Sequence, residues 1–226
     1  MGKVKKMISL LFSINILTIY LNFKYLKFAD AIKFPILVFG RVSVHFLKGI
    51  IKINAPIKTG MIVFGTKTVG IFSKRLDTVF NILGTVEFNG KASFGRGSSL
   101  SVGKQSTLSF GDNFAITANS TIVASGGKNV TFGDDCLLSW EILVMNTDFH
   151  KIYQEETKEL VNAPRDITVK NHVWIGCGAK LLKGTVIPAN SIIAAGSVIS
   201  GVFSEEGAVY GNGRGSKLKG NINWAV

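Results

Sequence analysis

Residues 175–200 read IGCGAKLLKGTVIPANSIIAAGSVIS, and this stretch decides the fold. Aliphatic side chains recur every six residues, and small side chains follow each of the first four after four residues: Ile175, Leu181, Ile187, Ile193 and Ile199, with Ala179, Thr185, Ser191 and Ser197. A strand has a side-chain period of two and a helix one of 3.6, so neither produces this pattern. Short strands joined by tight corners do produce it, in a parallel β-helix.

The repeat extends toward the N terminus with a variable spacing. The dipeptides Phe94-Gly95, Val102-Gly103 and Phe110-Gly111 lie eight residues apart, and Phe110, Ile116 and Ile122 lie six apart. We therefore predict a β-helix over residues 59–209. The pattern stops between Val144 and Val169, in a polar stretch that is too long for a corner. Because long loops within compact domains are often functional, residues 145–169 are predicted to project as a catalytic loop.

The composition suits a turn-rich β domain. The chain has 226 residues, 46% of them hydrophobic and 25 of them glycine. Cys136 and Cys177 fall within repeat segments, which favours buried structural thiols in a reducing compartment over a disulfide or a reactive thiol. With three scattered histidines and no CxxC pair, no metal site is predicted.

The net charge of +12 is concentrated at the N terminus. Residues 1–58 contain ten Lys and Arg against one acidic residue, which gives +9, whereas residues 59–226 contain sixteen against thirteen, which gives +3. This basic segment is also aliphatic and aromatic. The combination favours an amphipathic helix at a membrane surface. Packing against the β-helix is the alternative, and nucleic acid is the least favoured partner.

Three strings carry a resemblance to a known family: SWEILVMNTDFH (139–150), HVWIGCGAKLLKGTVIP (172–188) and AAGSV (194–198). They resemble the hexapeptide-repeat acyltransferase superfamily, and within it the O-acetyltransferases of bacterial capsular and exopolysaccharides. The resemblance implies an all-β, left-handed triangular prism that forms homotrimers, with active sites between prisms. It also implies acetyl-CoA as acyl donor and a glycan as acceptor.

His150 occupies the place of the catalytic base in that superfamily. An imidazole with a pKa near 6.5 is suited to take a proton from a sugar hydroxyl as the hydroxyl attacks a thioester. Asp148, Asn146 and Glu141 are close enough in sequence to orient the ring, and the sequence does not choose among them. Asp148 and Trp174 are assigned with His150 to catalysis. His45 and His172 are expected to be structural or solvated.

The resemblance also assigns residues to the cofactor. Main-chain amides around Trp174, Gly176 and Cys177 would hold the thioester end of acetyl-CoA. Trp174 would line the acetyl or acceptor pocket, the alternative being that it packs against a neighbouring subunit. Ala195 lies 18 residues, one full coil, beyond Cys177 and would let the pantetheine arm approach the backbone.

Acceptor and phosphate contacts complete the predicted site. Asn119, by resemblance, and Asn146 are assigned to acceptor binding. The C-terminal tail, residues 210–226, lacks the Pro-Ala pair of the family's usual motif, but it has cations for the cofactor phosphates at Arg214, Lys217 and Lys219. A solvated basic tail is the alternative.

The sequence therefore predicts a cytoplasmic O-acetyltransferase that modifies a surface polysaccharide or its lipid-linked precursor. Its basic segment, residues 1–58, is expected to bring it to the inner membrane face. Two other functions remain open: N-acetylation of an amino sugar nucleotide, and a non-catalytic β-helix scaffold. A carbonic anhydrase on this fold would need three converging histidines, and the spacing of the three here does not favour that.

Overall fold

The computed structural model describes residues 15–66, 69–73, 75–211 and 216–225. Within these ranges the chain forms a left-handed parallel β-helix with two short N-terminal helices, α1 (Leu17–Tyr25) and α2 (Phe28–Ala31). Strands of successive coils stack in three sheets, which are the three faces of a prism. The predicted fold class is confirmed.

Each face takes every third strand along the chain up to β20, and β21 and β22 both join the first face. The first face contains β1 (Ile36–Val38), β4 (Ile62–Phe64), β7 (Ala92–Phe94), β10 (Phe114–Ala118), β13 (Leu137–Trp140), β16 (Trp174–Ile175), β19 (Ile192–Ile193), β21 (Val209–Gly211) and β22 (Ser216–Lys219). The second face contains β2 (Val42–Leu47), β5 (Thr78–Ile82), β8 (Ser99–Val102), β11 (Thr121–Ala124), β14 (Leu143–Met145), β17 (Lys180–Leu182) and β20 (Val198–Ile199). The third face contains β3 (Ile50–Ile53), β6 (Thr85–Phe88), β9 (Thr107–Phe110), β12 (Val130–Phe132), β15 (Ile167–Val169) and β18 (Val186–Ile187).

The prism interior is filled by the repeating apolar positions. In the C-terminal coils the aliphatic series predicted from the period of six is buried: Ile175, Leu181, Ile187, Ile193 and Ile199. In the earlier coils phenylalanine fills the interior. Phe88, Phe110 and Phe132 occupy aligned positions on the third face, with ring centroids 5.5 and 5.8 Å apart. This continuous core stabilises the coils, because each coil buries its apolar surface against the next.

The corners depend on residues with a positive φ, which few residue types adopt readily. We call the corner between the first and second faces the first corner; it has Asn119, Glu141, Gly178 and Gly196 at φ between 43 and 71°. The second corner joins the second face to the third. The third corner leads from the third face back to the first. It likewise has residues with a positive φ: Asn113, Asp135, His172, Asn190 and Gly207. Asparagine and glycine recur because they tolerate this region best.

The β-helix begins earlier than predicted. Strands β1, β2 and β3 lie within residues 1–58, and β1 pairs with β4 as part of the first face. The first coil therefore starts at Ile36, and the predicted boundary at residue 59 is wrong. These strands were missed because their coil lacks the regular aliphatic-glycine spacing of the later coils.

Helix α1 covers the outer edge of β1. The side chain of Asn22 donates to the Ile36 carbonyl at 2.7 Å and accepts from the Ile36 amide at 3.2 Å. Thr18 Oγ1 similarly accepts from the Val38 amide at 2.8 Å. An uncovered edge strand would present unpaired main-chain groups to other chains, and this helix satisfies them. The buried side of α1 therefore packs against the β-helix, which was the alternative to contact with a membrane.

Neither described helix is long and apolar enough to cross a bilayer. The described part of the helical segment is α1 and α2, whereas Lys3, Lys5 and Lys6 lie outside the described residues. At the other end, the predicted tail partly continues the prism. Strand β21 extends the first face in parallel, and β22 returns antiparallel to it.

Candidate active site

The loop between β14 and β15 covers residues 146–166, against the predicted 145–169, and leaves the prism at the second corner. It folds into a small hairpin, in which Tyr153 and Leu160 form an antiparallel bridge and the Val161 amide donates to the Ile152 carbonyl at 2.9 Å. Large apolar side chains on this hairpin and its root are exposed: Phe149, Ile152, Tyr153, Leu160 and Val161. Such a concentration of exposed apolar groups is typical of a surface that contacts another protein.

His150 lies exposed at the root of this loop, and its backbone is held from two sides. Its amide donates to the Asp148 carbonyl at 2.7 Å, and its own carbonyl accepts from Asn162 Nδ2 at 2.7 Å. Asn162 is buried, and its Oδ1 accepts from the Ile152 amide at 2.7 Å. One side chain therefore joins the two stems of the loop and fixes the main chain at His150.

The carboxylate of Asp148 anchors the same root to the prism. It accepts from Lys183 Nζ and, at 2.9 Å, from Asn162 Nδ2. Lys183 Nζ also donates to the Asn162 carbonyl at 3.0 Å. The hydrogen bonds from Lys183 and then Asn162 lower the pKa of the Asp148 carboxyl, because both favour its charged form.

None of the three residues predicted as orienting groups is hydrogen-bonded to the His150 ring in the described structure. Among the described residues, no side chain hydrogen-bonds the His150 imidazole. Asp148 contacts Lys183 and Asn162 instead, so it positions the backbone. Asn146 is buried, and its Oδ1 accepts from the Ser125 amide at 2.8 Å, so it supports the loop root. Its buried Nδ2 has no hydrogen-bond partner among the described residues. Glu141 lies at the first corner, before β14.

The predicted cofactor residues meet at the first corner. A side chain at Gly176 would approach the Ala195 amide to 2.7 Å, and the Gly196 amide donates to the Cys177 carbonyl at 2.8 Å. Gly176 and Ala195 therefore lie in successive coils, as the spacing predicts. Absence of a side chain at Gly176 permits this close stacking of main chains.

Both cysteines are free thiols, as predicted. Cys136 is buried, and its burial raises the pKa of its thiol to about 12. It also contacts the Lys170 carbonyl at 3.1 Å. A thiol that stays protonated is a poor nucleophile, so Cys136 is a packing residue.

Trp174 lies on the first face, and Asn119 lies at the first corner. Trp174 lies on β16 with 37% of its surface exposed, and its Nε1 donates to Ser139 Oγ at 3.0 Å. Asn119 sits at a positive-φ position of the first corner, and its carbonyl accepts from the Glu141 amide at 3.0 Å. This conformation gives Asn119 a structural role in turning the chain, independent of its predicted acceptor contact.

The three predicted phosphate-binding cations of the tail differ in their surroundings. Arg214 lies outside the described residues. Lys217 Nζ lies 2.6 Å from both carboxylate oxygens of Glu205, so its charge is already paired within the subunit. Lys219 lies exposed on β22. The prediction of a phosphate contact at Lys217 is therefore weakened by its ion pair.

Within the chain the predicted catalytic and cofactor residues lie at different corners. His150 follows the second face, whereas Gly176, Cys177 and Ala195 precede it at the first corner. The two groups of predicted residues therefore lie at opposite edges of the second face.

Sequence reasoning missed three residues around these sites. Asn162 and Lys183 hold the loop root, and Trp224 packs on the first face, where its ring stacks on His172 at 4.4 Å. No local pattern marks Asn162 or Lys183, because their contacts depend on how the loop folds. Trp224 did carry a signal, since a tryptophan is unusual in a basic tail that is read as solvated.

The structural comparison agrees with the fold. The crystal structure of the polysialic acid-specific acetyltransferase NeuO matches with a TM-score of 0.56 and 21% identity over 82% of this chain and 89% of that one. At 21% identity this match shows the fold. The predicted resemblance to O-acetyltransferases is confirmed by sequence similarity. No family model matches the chain.

Similar curated proteins carry related names. The polysialic acid O-acetyltransferase of Neisseria meningitidis is 40% identical over 62 residues, 27% of this chain and 28% of that protein. The galactoside O-acetyltransferase of Escherichia coli K12 is 35% identical over 97 residues, 42% of this chain and 45% of that protein. The chain spans less than half the length of these relatives.

Proposed function

We propose that this protein transfers the acetyl group of acetyl-CoA to a hydroxyl of a surface polysaccharide or its lipid-linked precursor. The observation that carries the proposal is His150, exposed at the root of a projecting loop whose main chain is fixed by Asn162. The similarity to O-acetyltransferases of polysialic acid and of galactosides supports both the reaction and the class of acceptor.

His150 would act as general base. Its imidazole takes the proton of the acceptor hydroxyl as the oxygen attacks the thioester carbonyl, which gives a tetrahedral intermediate. The carbon–sulfur bond then breaks, and the imidazolium returns the proton to the departing CoA thiolate. The products are the acetyl ester and CoA, so atoms and charge balance without another reactant.

The first corner offers a donor for the negative charge of the intermediate. The Gly176 amide already donates to the Ile193 carbonyl at 2.8 Å. By contrast, the half-buried Cys177 has no acceptor for its amide within the described part of the chain. A preorganised, unused main-chain donor is what an oxyanion requires. The Cys177 amide is therefore assigned to the thioester oxygen.

The assembly follows from the separation of the two partial sites. A homotrimer would place the loop of one subunit against the first corner of the next, and the exposed apolar side chains of the loop supply a contact surface. Replacing Phe149 and Tyr153 with serine should then yield monomers in analytical ultracentrifugation, with loss of activity. An unchanged trimer would contradict this use of the loop.

The N-terminal surface is assigned to the inner membrane face. On the side of α1 and α2 away from the prism, large apolar side chains are exposed: Ile16, Ile19, Tyr20, Phe23, Phe28 and Ile32. Lys24, Lys27 and Lys33 lie among them in sequence. Apolar side chains ringed by cations are the composition that binds an anionic membrane surface.

The reaction is tested by acceptor-dependent thiol release from acetyl-CoA, with mass spectrometry of the product. Hydroxyl and amino sugar acceptors should be compared, and the proposal expects a mass gain of one acetyl group on hydroxyl acceptors. Transfer confined to amino acceptors would support N-acetylation instead. No CoA binding and no transfer would support a scaffold.

A further inference from the structure

A cleft of about 510 Å³ opens on the first face beside the third corner. Cavities that bind small ligands range from roughly 300 to 1,000 Å³, so this one can hold a sugar unit. The residues that line it combine one aromatic wall with amide, carboxylate and aliphatic groups: Asn113, Ala115, Asp135, Cys136, Leu137, His172 and Trp224.

The aromatic wall is fixed in place by Trp224. Its indole stacks on the His172 imidazole at 4.4 Å with an interplanar angle of 10°, and its Nε1 donates to the His172 carbonyl at 3.0 Å. The His172 ring is itself held, since its Nδ1 lies 3.1 Å from Asn190 Oδ1. The C-terminal tail thus returns across the prism to build a wall that the coils alone lack.

This wall connects the cleft with the candidate active site. The ring centroids of Trp224 and Trp174 lie 6.3 Å apart, and Trp174 is the residue predicted to line the acetyl or acceptor pocket. A chain of sugars that enters at Trp174 would continue past Trp224 into the cleft. A monosaccharide would not reach both.

The opposite wall is polar and acidic. Asn113 Nδ2 donates to Asp135 Oδ1 at 2.8 Å, which leaves a carboxylate and an amide facing the cleft as hydrogen-bonding groups. Asp135 is the acidic residue of the lining, and among the described residues no lysine or arginine lines the cleft. An anionic sugar would place its carboxylate near that of Asp135, where like charges repel. A neutral sugar offers hydroxyls to Asp135 and Asn113 and an apolar face to Trp224.

We infer that this cleft binds a neutral sugar unit of the acceptor chain, next to the unit that is acetylated. The inference rests on the proposed function for the identity of the chain. It distinguishes this protein from its relatives that are named for polysialic acid, an anionic polymer. Trp224, Asn113 and Asp135 would then select the acceptor, and His150 would act on it.

Equilibrium binding without acetyl-CoA tests the cleft separately from catalysis. Galactose oligomers and sialic acid oligomers of two to six units are titrated into the full chain by calorimetry. We expect the neutral series to bind more tightly as length increases. Trp224→Ala should weaken that binding about tenfold, which corresponds to roughly 1.4 kcal/mol. Glu206→Gln, which removes an exposed carboxylate outside the cleft, should leave it unchanged.

Asp135→Asn supplies a second variant that does not depend on the tail. Asparagine tolerates the positive φ of this corner, as Asn113 and Asn190 do in the same column. The substitution should keep affinity for galactose oligomers within a factor of about two, while sialic acid oligomers gain affinity. Tighter binding of the sialic series by the unmodified chain, or no binding of either series, would overturn the inference.

The two proposals fail in different ways. If acetyl transfer to glycans occurs, but Trp224→Ala binds and acetylates oligomers of every length as well as the unmodified chain does, the cleft assignment is wrong. The proposed function then stands. If neutral oligomers bind through Trp224 but no acetyl transfer occurs, the cleft assignment stands and the proposed function is wrong.

Discussion

The side-chain amide of Asn162 donates to the main-chain carbonyl of His150 at 2.7 Å. The two residues are twelve positions apart, at opposite stems of the projecting loop. This contact converts an exposed loop, which would otherwise sample many conformations, into a fixed platform for one imidazole. Catalysis by a general base depends on such placement, because small displacements of reacting groups reduce rates strongly.

Asn162→Ala should therefore lower kcat for acetyl transfer by roughly 10- to 100-fold. The substitution removes the hydrogen bonds to the His150 carbonyl, the Asp148 carboxylate and the Ile152 amide. The KM for acetyl-CoA should change little, since the cofactor residues lie at another corner. Steady-state kinetics measures both quantities. Glu155→Gln at the exposed loop tip is the matched control, and equal losses in both variants would argue against a positioning role for Asn162.

The pair of Asp148 and Lys183 gives a second prediction, on acid stability. The folded-state pKa of Asp148 is lowered, so its contribution is fully present above the ordinary aspartate pKa of about 3.9. That contribution is lost as the pH falls through the lower folded-state value. Lys183→Met should remove this part of the pH dependence. Urea unfolding at a series of pH values between 2 and 7, using roughly one-unit steps, measures it. Parallel curves for the variant and the unmodified chain would contradict the assignment.

Asn22 gives a prediction for the cap on the first coil. It is buried, and it exchanges two hydrogen bonds with Ile36 at the edge of the first face. Asn22→Ala leaves those main-chain groups unsatisfied, so we expect the free energy of unfolding to fall by about 1–3 kcal/mol. Asn54→Ala, which removes an exposed hydrogen bond to Asn89, is the control and should have a much smaller effect. Chemical denaturation of both variants distinguishes them.

Membrane association provides the fourth prediction. Replacing Ile19, Phe23 and Phe28 with serine should reduce binding to liposomes of anionic lipid, while turnover of a soluble acceptor persists. These side chains are exposed, and the substitutions spare Asn22, whereas deletion of residues 1–30 would remove the cap as well. Liposome cosedimentation at low and moderate salt is the measurement. Undiminished sedimentation of the triple variant would show that this surface does not contact lipid.

The period of six predicted the prism because each short strand directs one aliphatic side chain into the prism interior. It therefore identified the residues from Ile175 to Ile199 that form the core of the C-terminal coils. The first coil escaped prediction, since β1 to β3 combine exposed apolar side chains with cations and lack the regular glycine spacing. The corner role of Asn119 was likewise hidden, because a positive φ is a property of the folded chain.

The candidate site was predictable where sequence neighbours remain neighbours in space. His150 at the root of the loop, and Cys177 with Ala195 one coil apart, followed from position along the repeat. Asn162, Lys183 and Trp224 did not, because each reaches its partner only after the loop or tail has folded back. The ion pair of Lys217 was not predicted for the same reason, since its carboxylate partner Glu205 lies on another segment.

The most direct test of the proposed function is the rate of acceptor-dependent thiol release from acetyl-CoA by the unmodified chain, His150→Ala and His45→Ala. His45 is exposed on β2, far along the chain from the site, and serves as the matched histidine control. We predict a loss of about 100- to 10,000-fold for His150→Ala, the range for removal of a general base, and an unchanged rate for His45→Ala. Equal rates for all three proteins would contradict the assignment of His150 as the catalytic base.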